Sequence, residues 1–193
     1  MEIQQQGQPV SRVRAPKNYY VQLAALLGVA LIAFVVTWLL IRGGSSTSAK
    51  LPPVGKPTIV TEGQLRTLAA KSKLPVYWAG AKTGAYELTR ASDGRVWIRY
   101  LDSPDQVGTS AAKFLTVGTY PTTTAFVGLR RAAKLPGGLS LKVDNGGLLV
   151  FNTRTPTSVY FAYPKSNYQV EVFDPSPQQA RSLVLTGKIT PVG

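Results

Sequence analysis

The chain has 193 residues, with 22 lysines and arginines against 9 aspartates and glutamates, and its net charge is +13. It contains no cysteine and no histidine, which excludes disulfides, zinc sites built on Cys or His, and Ser-His-Asp or Cys-His catalytic systems. From Lys50 onward there are 18 basic and 8 acidic residues. This net charge of +10 favours anionic partners for the C-terminal part.

A long apolar segment follows the basic N-terminal tail. Val21 to Ile41 contains 21 residues without a charge, and as a helix it would be ~32 Å long, enough to cross a ~30 Å hydrocarbon core. Amphipathic and basic side chains favour the membrane interfaces, and they flank this run as Tyr19, Tyr20, Trp38 and Arg42. The pattern predicts a transmembrane helix over residues 19–42, after a short basic cytoplasmic tail over residues 1–18.

A cleaved signal peptide is the alternative, because Arg12, Arg14 and Lys17 form a basic n-region. The apolar run exceeds the ~7–15 residues typical of a signal peptide, and Arg42 interrupts the approach to a cleavage site. We therefore predict an uncleaved anchor. The basic residues on the two sides of the helix are equal in number, and the tighter N-terminal group places the N-terminus in the cytoplasm and the C-terminal domain outside.

Residues 43–58 form a Gly/Ser/Pro-rich linker that separates the anchor from a domain over residues 59–193. Thr61 and Gln64 fit a capping box for a first helix, which Pro75 ends before a short strand in "VYWAG". A hairpin follows, in which Leu88 faces Ile98, Tyr86 faces Tyr100 and Glu87 faces Arg99. The apolar pairs share one face of this hairpin, and the charged pair lies on the other.

The rest of the domain alternates strands and helices. "KFLTVGTY" predicts a strand, and Thr122 to Thr124 are predicted to cap a helix with Phe126, Leu129 and Ala133 on one side. Two hairpins follow, and the second places Glu171 opposite Tyr160. Ser176 caps a last helix that Gly187 ends. The fold class is therefore α+β, a mainly antiparallel sheet with about three packed helices.

Short patterns that resemble catalytic motifs do not fit their families. Ser110 to Lys113 is an S-x-x-K and Lys82 to Gly84 is a K-T-G, but they come in the reverse of the penicillin-binding order and lack a third element. "GAKTG" has the wrong spacing for a phosphate loop. Asp102 and Asp105 flank Pro104 as turn residues do. No motif indicates an enzyme, a metal site or a cofactor.

The strongest candidate for a ligand-binding surface is basic and aromatic. Strand alternation places Arg95, Trp97 and Arg99 on one face, where they could stack on sugars, lipid headgroups or bases. The alternative is that helices cover this face, with Trp97 in the core and the arginines at its edge. A second basic cluster lies near the end of the middle helix, at Arg130, Arg131 and Lys134.

These features predict a non-enzymatic, single-pass envelope protein that displays a basic binding or assembly domain. Its partners would be the membrane itself and an anionic wall polymer, lipid headgroups or another membrane protein. One alternative is an envelope hydrolase or transferase that uses carboxylates, drawn from Glu87, Asp102, Asp105 and Glu171. The other is a cytoplasm-facing nucleic-acid binder, which requires the inverted orientation and is not favoured.

Overall fold

The structure is a computed structural model that describes residues 51–193. The predicted tail, the transmembrane helix with its interface residues Tyr19, Tyr20, Trp38 and Arg42, and the first half of the linker (residues 43–50) lie outside these residues. Within residues 51–193, none of the helices has the length and apolar character needed to span a membrane.

Strands dominate the described part, with three α-helices between and after them. In chain order the elements are β1 (Thr58–Val60), α1 (Glu62–Lys71), β2 (Tyr77–Trp78), β3 (Ala85–Arg90), β4 (Val96–Leu101), a 3-10 turn (Pro104–Gln106), β5 (Thr116–Pro121), α2 (Ala125–Ala132), β6 (Gly138–Val143), a second 3-10 turn (Asp144–Gly146), β7 (Gly147–Asn152), β8 (Thr155–Ala162), β9 (Tyr168–Phe173), α3 (Pro177–Leu185) and β10 (Thr190–Pro191).

Eight strands form one sheet in the order β1-β3-β4-β5-β9-β8-β7-β6, and β10 pairs with β2 in a small second sheet. All of these pairings are antiparallel. The predicted α+β domain with an antiparallel sheet and three helices is therefore confirmed. The chain makes two meanders, β3-β4-β5 and β6-β7-β8-β9, which join where β5 pairs with β9.

Local sequence signals account for most element boundaries. The Thr61 hydroxyl accepts from Gln64 N–H while the Gln64 side chain accepts from Thr61 N–H, which is the predicted capping box. Ser176 caps α3 through one bond only, in which its hydroxyl accepts from Gln179 N–H. Two details differ: α1 already ends at Lys71, where the Ser72 hydroxyl donates to a carbonyl of the last turn, and α2 begins without a side-chain cap.

The two faces of the large sheet carry different layers. On the first face, α1 and α3 pack over a continuous apolar core that includes Leu65, Leu88, Ile98, Val117, Phe161, Val170, Val172 and Leu183. On the second face, α2 covers β7 and β8 through a smaller cluster around Leu129 and Val150. The loop after β4 covers the other end of that face, with Phe114 against Ala85 and Leu101. Between these two covers, the second face carries polar side chains.

Candidate functional site

A row of four residues crosses the second face of the sheet in register. Trp97 on β4 lies opposite Gly118 on β5, Gly118 lies opposite Glu171 on β9, and Glu171 lies opposite Tyr160 on β8. Gly118 leaves a gap in this row that the ring of Tyr120 fills. A Cβ atom at position 118 would lie 2.7 Å from the Tyr120 ring, so glycine is what allows the tyrosine to lie across the strand.

Hydrogen bonds connect these side chains into one network, which we call the Tyr-Glu cluster (Trp97, Tyr120, Tyr160 and Glu171). Tyr120 Oη donates to Glu171 Oε2, and Tyr160 Oη donates to Glu171 Oε1 at 3.0 Å. Trp97 Nε1 donates to Tyr120 Oη at 2.8 Å, with the two rings edge to face at 5.7 Å. Each carboxylate oxygen of Glu171 therefore accepts a hydrogen bond from one tyrosine hydroxyl.

Both tyrosines in this network stay protonated over the physiological range. Burial raises the pKa of Tyr120 well above 10, and the adjacent charge and hydrogen bond of Glu171 raise it further. Burial and the same carboxylate also raise the pKa of Tyr160. Neither hydroxyl can act as a general base near neutral pH. Their role is to donate hydrogen bonds to Glu171, which belongs to none of the ion pairs among residues 51–193.

Arg95 lies beside Trp97, as expected from the predicted basic and aromatic surface. Its guanidinium lies 5.3 Å from the centre of the Trp97 ring, a cation–π geometry. Its Nε lies 2.7 Å from Asp93 Oδ2 but is buried without a hydrogen bond, so this contact is an ion pair of poor alignment. Partial burial raises the pKa of Asp93, but its interactions with Arg95 outweigh that and hold the pKa below the usual range.

Arg99 lies inside the domain and not on an exposed surface. Its Nη1 is 2.9 Å from Glu87 Oε1, with the two side chains 4% and 1% exposed. The sequence alternative was that a helix covers this face. At Arg99 the loop after β4 covers it instead, and Arg99 donates to Thr109 O and Ala111 O of that loop. The face-to-face pairing of Glu87 with Arg99 is confirmed, and because both side chains are buried, Arg99 does not belong to an exposed ligand-binding surface.

Arg130, Arg131 and Lys134 are all exposed. Arg130 and Arg131 lie in the last turn of α2, where cations complement the partial negative charge of a helix C-terminus. None of the three takes part in an ion pair within the described part of the chain. We call them the α2 basic cluster, and their charges remain available to an external anion.

The remaining carboxylates from the sequence do not form a second site. Asp105 lies within a 3-10 turn at Pro104–Gln106 and Asp102 lies two residues before it, as the turn interpretation predicts. Glu87 is held by Arg99 and by Gly108 N–H. Across residues 51–193, His, Cys, Asp and Glu nowhere gather in a group of three or more that could hold a metal ion.

The sequence did not single out Tyr120, Tyr160 or Gly118. The register that places Glu171 opposite Tyr160 was predicted from the β8–β9 hairpin and is confirmed. The sequence did not predict that Tyr120 on β5 would reach Glu171 on β9, because these residues are about 50 positions apart in the chain. No family model, no curated protein and no solved structure matches this chain. Its function is therefore argued from the geometry and charge of these residues.

Proposed function

We propose that the chain is a non-enzymatic, single-pass membrane-anchored envelope protein whose α+β domain binds an anionic partner outside the cytoplasm. The supporting observation is a charge imbalance. Residues 51–193 contain 17 lysines and arginines against 8 acids, and three of those acids, Glu62, Glu87 and Asp93, are already paired with arginines of the domain itself. Most of the cations therefore have no acid of the domain as partner.

The α2 basic cluster is the surface that best fits such a partner. Its three side chains are exposed and free of ion pairs within residues 51–193. Repeated phosphates, as in phospholipid headgroups or an anionic wall polymer, would contact several cations at once. Exposed charges of this kind contribute little singly, and their combined effect decreases as salt screens them.

Binding of the full chain to an anionic surface tests this proposal. We expect the chain, reconstituted in phosphatidylcholine nanodiscs, to bind vesicles that contain phosphatidylglycerol and to be released by salt. A triple variant (Arg130→Gln, Arg131→Gln, Lys134→Gln) should bind at least about tenfold more weakly. A triple variant of equal charge change at other exposed lysines (Lys82→Gln, Lys165→Gln, Lys188→Gln) is the control. Equal losses in the two variants would contradict a specific role for the cluster.

Membrane anchoring and orientation need separate measurements, because the predicted helix at 19–42 lies outside the described residues. A reporter fused to the C-terminus should be active only outside the cytoplasm. The membrane-extracted protein should keep its full mass, since removal of a signal peptide would reduce it by about five kilodaltons. A reporter active only in the cytoplasm would reject the proposed location, and salt-sensitive DNA or RNA binding would then support the nucleic-acid alternative.

A non-enzymatic role is supported by the surroundings of the carboxylates. An acid/base pair needs two carboxyl groups roughly 5–9 Å apart. Glu87 forms a buried ion pair with Arg99. Glu171 accepts hydrogen bonds from two tyrosines. Asp102 and Asp105 lie at a turn. The carboxylate-enzyme alternative has no comparable support.

Assembly with a protein partner is a second candidate function, favoured by the edge strand β6. Strand β6 pairs only with β7 in the large sheet, and Leu139 and Leu141 on it are 48% and 41% exposed. Exposed apolar residues on an unpaired edge are typical of strand addition. A Leu139→Lys and Leu141→Lys variant should lose a crosslinked complex that wild type forms in membranes; a complex that persists would exclude this edge.

A further inference from the structure

A cavity of about 480 Å³ lies at one end of the sheet, between the C-terminus of α1, the segment after it and the β3–β4 turn. Small-molecule sites usually have volumes of ~300–1,000 Å³, so the cavity can hold a compact ligand. None of the residues named by the sequence as candidate site residues lines it except Arg95. It is therefore distinct from both the Tyr-Glu cluster and the α2 basic cluster.

The polar rim of this cavity is strongly cationic. Lys71, Lys73, Arg90 and Arg95 line it against one acid, Asp93. Arg95 already satisfies that acid, at 2.7 Å. The other three cations take part in no ion pair within residues 51–193. The rim therefore has an excess of positive charge that no group of the domain neutralises.

The inner wall of the cavity is apolar. Leu68, Val76 and Val96 line it and belong to the buried core, and Leu51 and Pro121 contribute further carbon surface. A site that combines cations at its rim with an apolar wall is suited to an amphiphile, because the head can form charge-assisted hydrogen bonds while the chain leaves water. A simple inorganic anion would leave the apolar wall unused.

The cavity also lies where the chain enters the domain. Leu51, the first described residue, lines the cavity, and Arg90 Nη1 donates to Pro52 O at 3.0 Å. The first two described residues, Leu51 and Pro52, therefore lie beside this cavity.

We propose that this cavity binds a phosphate group attached to an apolar chain, with Lys71, Lys73 and Arg90 holding the phosphate and the core side chains holding the first methylene groups. The inference deepens the proposed function, on which it rests for the class of partner, by adding to the α2 basic cluster a second site for an anionic group. The same chemistry occurs in a membrane phospholipid and in a soluble alkyl phosphate, and the experiment distinguishes these sources.

Calorimetric titration of the full chain in phosphatidylcholine nanodiscs, with butyl phosphate and with inorganic phosphate, tests the chemistry. We expect butyl phosphate to bind at least about tenfold more tightly, as the burial of two methylene groups would give. If nanodiscs that contain phosphatidylglycerol suppress butyl phosphate binding, the ligand is a lipid of the bilayer; if they leave it unchanged, the ligand is soluble. Equal or absent binding of the two phosphates overturns the proposal.

Three double variants with the same loss of charge locate the site. Lys71→Gln with Lys73→Gln should weaken butyl phosphate binding about tenfold, because two charged donors are lost. Arg130→Gln with Lys134→Gln, in the α2 basic cluster, and Lys165→Gln with Lys188→Gln should change it less than about twofold. All six side chains are exposed, so the variants should fold, which thermal unfolding verifies. If the first variant binds like the other two, the cavity is not the site, whereas vesicle binding that depends on the α2 basic cluster would still support the proposed function.

Discussion

Arg99 Nη1 lies 2.9 Å from Glu87 Oε1 in a pair that is almost fully removed from water. The same guanidinium donates to Thr109 O and Ala111 O, and Gly108 N–H donates to Glu87 Oε2 at 2.7 Å. These bonds satisfy both charges and connect the β3–β4 hairpin to the loop that follows it. The pair therefore holds that loop against the second face of the sheet.

Replacing Arg99 by methionine should strongly destabilise the domain. The substitution keeps most of the side-chain volume but leaves the Glu87 carboxylate buried without its cation, which typically costs ~3–5 kcal/mol. Urea unfolding of the full chain, followed by tryptophan fluorescence, measures the change in the free energy of unfolding.

Two further variants show whether burial of an unpaired charge is the cause. Adding Glu87→Gln to Arg99→Met removes that charge and should recover part of the loss. Arg66→Met breaks the exposed pair of Arg66 with Glu62 and should cost at most ~0.5 kcal/mol. If Arg99→Met were as mild as Arg66→Met, the buried pair would have no special role in stability.

Gly118→Ala should displace the Tyr120 ring. The new Cβ would lie 2.7 Å from ring carbon Cε2 and 2.8 Å from Oη, closer than contacts between such atoms allow. Movement of the ring would strain the bonds of Tyr120 to Glu171 and Trp97, and overpacking of this kind typically costs ~1–3 kcal/mol. The free energy of unfolding and the near-ultraviolet circular dichroism of Trp97 should both change.

A double-mutant cycle isolates this contact. In a Tyr120→Ala background the Gly118→Ala substitution meets no ring, so its cost should largely disappear. Gly128→Ala on α2 is the control: no atom lies within 4 Å of a Cβ there, and alanine in a helix is favoured over glycine by ~0.5–1 kcal/mol. Equal costs of Gly118→Ala in the two backgrounds would contradict the contact.

The sequence predicted those features that depend on neighbouring parts of the chain. The capping box at Thr61, the N-cap at Ser176 and the registers of the β3–β4 and β8–β9 hairpins all follow from short-range patterns. The opposition of Glu87 and Arg99 was likewise predicted. The burial of Glu87 and Arg99 was not predicted, because the loop that covers them has no periodic pattern to indicate which face of the sheet it packs on.

The Tyr-Glu cluster could not be predicted because it depends on which distant strands become neighbours. Tyr120 reaches Glu171 only since β5 pairs with β9, and no local signal chooses this pairing over others. The sequence also does not predict the role of Gly118, because a glycine in a strand indicates only a bulge or the close approach of another group. The cavity beside Leu51 likewise forms between elements far apart in the chain.

Tyr120→Phe should destabilise the domain more than Tyr160→Phe. Tyr120 donates to Glu171 and also accepts from Trp97 Nε1, whereas Tyr160 donates to Glu171 at 3.0 Å and has its other side-chain interaction with Ser158. Loss of a hydrogen bond to a charged group typically costs ~1.5–3 kcal/mol, and Tyr120→Phe also leaves the indole N–H without its acceptor. The measurement is again the free energy of unfolding, and the reverse order would contradict the arrangement of donors.

Alkaline pH should destabilise the domain through its buried tyrosines. Burial raises the pKa of Tyr77, Tyr100, Tyr120, Tyr160 and Tyr163 above the ordinary value of 10. Below pH ~10 these groups are protonated in both folded and unfolded chains, so they contribute no pH dependence. Above that pH the unfolded chain loses protons that the folded chain retains, and each tyrosine lowers the free energy of unfolding by up to ~1.4 kcal/mol per pH unit.

Tyrosinate absorbance near 295 nm checks this prediction when it is recorded together with circular dichroism. Most of the ionisation should coincide with the loss of structure as pH rises, because the pKa of each of these hydroxyls is higher in the folded chain than in the unfolded chain. Tyr160→Phe removes one of the buried hydroxyls and should make the decrease in stability with pH less steep. Complete ionisation close to pH 10 with the circular dichroism unchanged would show that these hydroxyls are accessible in the folded domain, and would contradict their burial on the two faces of the sheet.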